Sequence, residues 1–92
     1  MSVSPPFDLD QTVVLSRHAE LKVRAEGEIL VMPERAMRLR GSSAEILRVC
    51  SEPRSGREVL ATLCERYPED PELGQVVSAF LAEMLALGAL ER

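Results

Sequence analysis

At Gly41 the apolar period of this chain changes, and that change limits what it can fold into. Before Gly41, apolar residues recur at every second position, the spacing of a half-buried strand. After it they recur at every third or fourth, the spacing of a helix. Glu20-Leu21-Lys22-Val23-Arg24-Ala25 alternates, which predicts Leu21, Val23 and Ala25 on a covered side and Glu20, Lys22 and Arg24 in water. Glu26-Gly27 supplies a tight turn, where glycine takes a positive φ freely. Glu28 to Met32 follows with four successive apolar residues, the pattern of a middle strand covered on both faces. Pro33-Glu34-Arg35 turns the chain again. Ala36-Met37-Arg38-Leu39-Arg40 then forms a third strand with Arg38 and Arg40 pointing outward.

Three helix starts lie beyond Gly41. Ser42 to Glu45 and Ser55 to Glu58 both fit a capping box, in which a serine and a glutamate satisfy each other's backbone amides. Asp70 is the expected N-cap of the third helix, with Pro71 in its first turn. The first helix carries Ile46, Leu47 and Cys50. The second carries Val59, Leu60, Leu63, Cys64 and Tyr67 and stops at Pro68. The third carries Leu73, Val76, Val77, Phe80, Leu81, Met84 and Leu85 and ends near Gly88. The predicted class is α+β: a three-stranded antiparallel sheet over about residues 20–40, followed by three helices over about 43–88. Residues 1–14, polar up to 12 and with Pro5-Pro6, are expected as a flexible arm, with Val13-Val14-Leu15 either touching the core or starting a short strand. Residues 15–92 then form one domain, which suits a chain of 92 residues.

The third helix is apolar over more than half its girth, leaving a stripe of Gln75, Ser78, Ala79, Ala82 and Glu83. A surface helix needs a narrower apolar face. Either this helix is central to the core, or part of its face waits for a partner.

The chemistry-bearing residues are few. His18 is the single histidine and sits in a polar stretch, Ser16-Arg17-His18. The chain shows no nucleophile–base set, metal-ligand spacing, phosphate loop or cofactor motif, so no catalytic residue, metal or cofactor is expected. A net charge of −4 is the reverse of what nucleic-acid phosphates require. The third helix has no Lys or Arg, so it cannot serve as a DNA-reading helix. Cys50 and Cys64 read as buried thiols of a reducing compartment. No apolar run approaches the ~20 residues of a membrane span, and the N-terminus lacks a secretory pattern. A cytoplasmic protein is expected, with neither nucleic acid nor membrane as partner.

Several stretches together resemble the pyrroloquinoline quinone biosynthesis protein D family. They are Leu15-Ser16-Arg17-His18-Ala19-Glu20-Leu21, Leu30 to Ala36 with its Pro-Glu-Arg turn, Ala44 to Leu47 with Cys50, Ser55 to Val59, and the last helix ending in Leu87-Gly88-Ala89-Leu90. The resemblance covers about Leu15 to Glu91. It implies a winged helix-turn-helix-like fold used to bind the leader of a ribosomally made peptide. The implied function is that of a non-catalytic chaperone. It would hold the precursor peptide of pyrroloquinoline quinone and present it to a radical S-adenosylmethionine enzyme, which joins a Glu to a Tyr.

By the same resemblance, the peptide adds as a strand beside the third strand and packs on the third helix. The implied site is Ala36, Met37, Arg38, Leu39 and Arg40, with Val76, Val77, Phe80, Leu81 and Met84. Which of these helix residues face the groove is left open by the sequence. The chain departs from the family at Arg40-Gly41, where an acidic or amide residue is common, and at Ser51-Glu52, where Asp-Gly is common. Two rival readings remain: a winged-helix DNA-binding regulator, and a homodimer that uses the same open edge for self-association.

Overall fold

The computed structural model describes residues 8–25, 27–39 and 41–92. Two antiparallel sheets and three helices surround one core. The first sheet is built from β2 (Glu20–Arg24), β3 (Gly27–Met32) and β4 (Arg35–Arg38), in that order. Its register runs Leu21↔Leu30↔Met37 across the sheet, so these three share one face. That face meets the core, where Leu30 is fully buried and Leu21, Met37 and Leu39 pack alongside.

The opposite face corrects an expectation. Ile29 and Val31 are only half-buried and lie outside the core cluster, so the middle strand is covered on one side rather than both. Val23 is also not covered. It pairs with Glu28 near the Ala25 turn and is 78% exposed, because the hairpin reaches past the core there. Glu26 and Arg40 lie outside the described residues.

A second sheet, in the order β5 (Arg54–Ser55), β1 (Thr12–Leu15), β6 (Leu90–Glu91), ties the start of the chain to its end. Residues 9–14, included in the expected arm, are thereby tied to the rest of the chain. Val13 is fully buried. The amides of Gly56 and Arg57 donate to the carbonyls of Gln11 and Leu9, and the Arg57 guanidinium contacts Asp10 at 2.6 Å. That contact holds the Asp10 carboxyl below its ordinary pKa. Residues 1–7 lie outside the described residues.

The helices are α1 (Ser43–Val49), α2 (Gly56–Arg66) and α3 (Leu73–Leu87). They contribute Ile46, Leu47, Val59, Leu63, Val77, Leu81 and Met84 to the core, each essentially without exposed surface. Cys50 is buried with them, and burial pushes its thiol up to about 11, so it stays protonated at neutral pH. Cys64, expected buried, is exposed on α2. Ser78, expected in water, is buried on α3.

Only one of the two predicted capping boxes forms. Ser55 Oγ accepts from the Glu58 amide at 3.2 Å, and Glu58 Oε1 accepts from the Ser55 amide at 2.8 Å. Ser42 makes no side-chain cap, because Glu45 turns away to Tyr67 and Arg66. Helix α3 starts two residues later than expected: Glu72 is its N-cap, and Asp70 Oδ1 accepts from the Glu72 amide at 2.9 Å. It ends at Gly88, whose φ of 84° is one that glycine adopts without strain.

The caps make a direct test. Ser55→Ala removes half of a reciprocal pair and should destabilise the chain by about 1 kcal/mol, a fall of roughly 4–8 °C in melting temperature for a domain of this size. Ser42→Ala should shift stability by less than about 0.5 kcal/mol. Thermal melts of the two variants check the contrast.

Candidate functional site

Strand β4 is an edge: β3 pairs with one side of it, and among the described residues no strand pairs with the other. The orientation of its amides follows from one bond. The Leu39 amide donates to the Glu28 carbonyl at 2.9 Å, which makes Leu39 and Glu28 a hydrogen-bonded pair. Amides alternate in direction along an antiparallel strand. The amides of Arg35, Met37 and Leu39 therefore point to β3, and those of Ala36 and Arg38 point to the open side. The Arg35–Met32 closure by the two-residue Pro33-Glu34 turn agrees with this phase.

Two hollows locate the helix relative to this edge. One, of about 410 Å³, is lined by Met32, Pro33 and Arg35 at the start of β4, and by Leu87 and Gly88 at the end of α3. The other, of about 260 Å³, is lined by Gly41 and Ser42 after β4, and by Leu73 and Val76 at the start of α3. Each end of the strand thus meets the opposite end of the helix. The two elements thus lie in opposite directions, with one hollow between them at each end.

The helix residues divide clearly. Val77, Leu81 and Met84 are fully buried and belong to the core, so they have no surface to offer a peptide. Val76 is 45% exposed, and Phe80 is half-buried. With Leu87, which lines the first hollow, they fall on one helical stripe at i, i+4 and i+11. On β4, Ala36 and Arg38 are exposed, while Met37, and Leu39 just after the strand, are half-buried against the core. Arg40 lies outside the described residues. Of the residues that line the two hollows, only Val76 belongs to the site expected from the sequence. Leu87 continues the spacing of Val76 and Phe80 and could have been found that way. Tyr67 and His18 carry no periodic signal for a groove.

The Ser16-Arg17-His18 stretch has a structural account. Ser16 is buried, its Oγ accepts from the His18 amide at 3.2 Å, and Glu91 Oε2 accepts from the Arg17 amide at 3.2 Å. Hydrogen bonds from Ser16 and Arg17 hold the Glu91 carboxyl below its ordinary pKa. The turn so fixed places Ser16 and His18 at the wall of the first hollow.

These features define a small α+β domain of winged-helix-like order, with an unpaired sheet edge beside an apolar helix stripe that holds no cation. The sequence profile of coenzyme PQQ synthesis protein D (PqqD) matches residues 27–90. The chain belongs to that family. Its fold is similar to the solution NMR structure of the PqqD truncation of Methylobacterium extorquens PqqCD, described as a functional, stand-alone recognition element for ribosomally synthesized and post-translationally modified peptides. The two share 21% sequence identity, with a TM-score of 0.77 over 94% of this chain and 95% of that one. No curated protein matches the chain in sequence. No helix among the described residues is long and apolar enough to cross a membrane.

Proposed function

We propose that this chain is a cytoplasmic peptide chaperone of PQQ synthesis. It binds the precursor peptide as a strand added to β4 and presents it to a radical S-adenosylmethionine enzyme. Its part is binding; the enzyme supplies the chemistry. The observation that carries this reading is the pair of outward amides, Ala36 and Arg38, on an edge that is open among the described residues and has at its two ends hollows walled by Leu87 and Val76 of α3. Main-chain bonding gives such a peptide its attachment, and side-chain hollows give it selectivity. Exposed Arg35 and Arg38 deter unwanted edge pairing and favour an acidic peptide.

Each added main-chain bond contributes only ~1 kcal/mol net. Association costs on the order of 4–15 kcal/mol, so apolar burial along α3 must supply much of the rest. The expected dissociation constant is micromolar, about −8 kcal/mol. Calorimetry with the pathway's precursor peptide tests this, and absence of binding at high micromolar peptide contradicts it. The same titration at rising salt separates the peptide reading from the DNA one. Peptide affinity should change little between ~50 and ~200 mM salt, whereas binding through many phosphates falls by orders of magnitude over that range. A mass measurement across concentrations, with and without peptide, tests whether a second copy competes for the edge.

A further inference from the structure

The hollow beyond the end of β4 holds more than strand addition requires. Three large apolar side chains among the described residues are exposed, and two of them, Tyr67 at 38% and Val76 at 45%, stand in its wall. Exposed apolar surface gathered at a concavity marks a contact site. Leu73, nearly fully buried, is the floor. The Tyr67 ring is held in place. Its hydroxyl donates to the Glu45 carboxylate, which keeps the phenol above its ordinary pKa. The other Glu45 oxygen, buried, lies 2.8 Å from the Arg66 guanidinium at ion-pair distance without hydrogen-bond geometry. An aromatic fixed in this way loses little freedom when a ligand arrives.

One charge stands in the wall, that of Asp70. Its Oδ1 accepts from the Glu72 amide, so the start of α3 is already met by a carboxylate and does not attract an anion. An acidic side chain entering the hollow would meet like charge. A purely apolar one would strip water from Asp70 without replacing it. A long side chain with an aliphatic stem and a cationic end satisfies both parts, since such chains bury the stem and keep the head polar.

We propose that this hollow is a subsite for one lysine or arginine of the bound peptide, its stem over Leu73 and Val76 and its cation between Asp70 and the Tyr67 ring. The inference rests on the docking reading above and adds the class of side chain that the groove selects at this end. Aromatic rings attract cations in this geometry, and the Asp70 carboxylate retains acceptor capacity beyond its bond to Glu72.

A double-mutant cycle tests it. The wild-type chain and Asp70→Asn are titrated calorimetrically with the precursor peptide and with versions in which each Lys or Arg is singly replaced by norleucine. Asparagine Oδ1 can accept the same bond from the Glu72 amide, so the turn that leads into α3 is kept. Asp70→Asn should weaken the parent peptide about 3- to 5-fold, the scale of an exposed ion pair. At one peptide position norleucine should cost as much, and there the two losses should not add. Unchanged affinity for Asp70→Asn, or additive losses at every position, overturns the subsite. If the wild-type chain binds no parent peptide at all, the docking reading falls first, and the two failures are told apart by that control.

Discussion

Proline at Arg38 is expected to leave a folded chain that no longer holds its peptide, whereas proline at Met37 or Leu39 is expected to unfold the sheet. The difference comes from one hydrogen bond. Because the Leu39 amide donates to Glu28, the amides of Met37 and Leu39 belong to the ladder with β3, and that of Arg38 points to the open edge. Proline has no amide proton, so it is tolerated in a sheet only where that proton would face outward. At Met37 or Leu39 it leaves a β3 carbonyl without its donor, at about 1–3 kcal/mol, and it also removes a side chain packed against the core. At Arg38 the ladder is intact, but the ring occupies the space where the added strand must lie. Peptide affinity should fall at least about tenfold, or ~1.4 kcal/mol. Arg38→Ala is the control that removes the charge and keeps the amide, and it should bind far better than Arg38→Pro. Circular dichroism and calorimetry on the four variants read the outcome. A folded Arg38→Pro chain with full affinity means that β4 is not the docking edge.

Leu81→Ala is expected to give the largest loss of stability on α3. Leu81 has no exposed surface and sits in the core cluster with Leu30, Leu47 and Leu63. Emptying such a site costs about 2–5 kcal/mol, a large share of the ~5–15 kcal/mol that holds a domain together. The melting temperature should drop by more than about 8 °C. Val76→Ala should move stability far less, because Val76 is already 45% exposed, yet it should weaken peptide binding by removing part of the groove wall. The reverse pattern, a stable Leu81→Ala chain with weakened binding, would place Leu81 in the groove instead of the core.

The division on α3 shows what the sequence could reveal and what it could not. The helix is too apolar for one buried stripe, and that excess was visible in the residues. It serves two surfaces: Leu73, Val77, Leu81 and Met84 in the core, and Val76 and Leu87 in the walls of the two hollows, with half-buried Phe80 on the same stripe. Periodicity fixes which residues share a face, but not which neighbour, if any, covers it. The same limit explains Val23, which alternates correctly yet lies beyond the reach of the core, and Ile29 and Val31, whose apolar run suggested a covering layer absent among the described residues.

Val13-Val14-Leu15 carried the sign of a core contact or a short strand, but β5 and β6 have two residues each and no period to read, so the pairing that anchors residues 8–14 was not legible. Ser42 and Glu45 had the spacing of a capping box, but tertiary contacts to Tyr67 and Arg66 took the glutamate. By contrast, the Gly41 switch, the Ser55–Glu58 cap and the Gly88 stop are local chemistry, and they were legible in full. The edge strand was legible as a strand. The direction of its amides needed the register.

Among the described residues the first sheet has two open edges, β4 and β2, and the peptide is proposed to take β4. An amide-resolved NMR titration of the labelled chain with the precursor peptide distinguishes them directly. The amides of Ala36 and Arg38 should shift and become protected from exchange, together with shifts at Val76, Phe80 and Leu87, while Glu20 to Arg24 stay as they were. Protection along Glu20 to Arg24, with Ala36 and Arg38 unchanged, would contradict it.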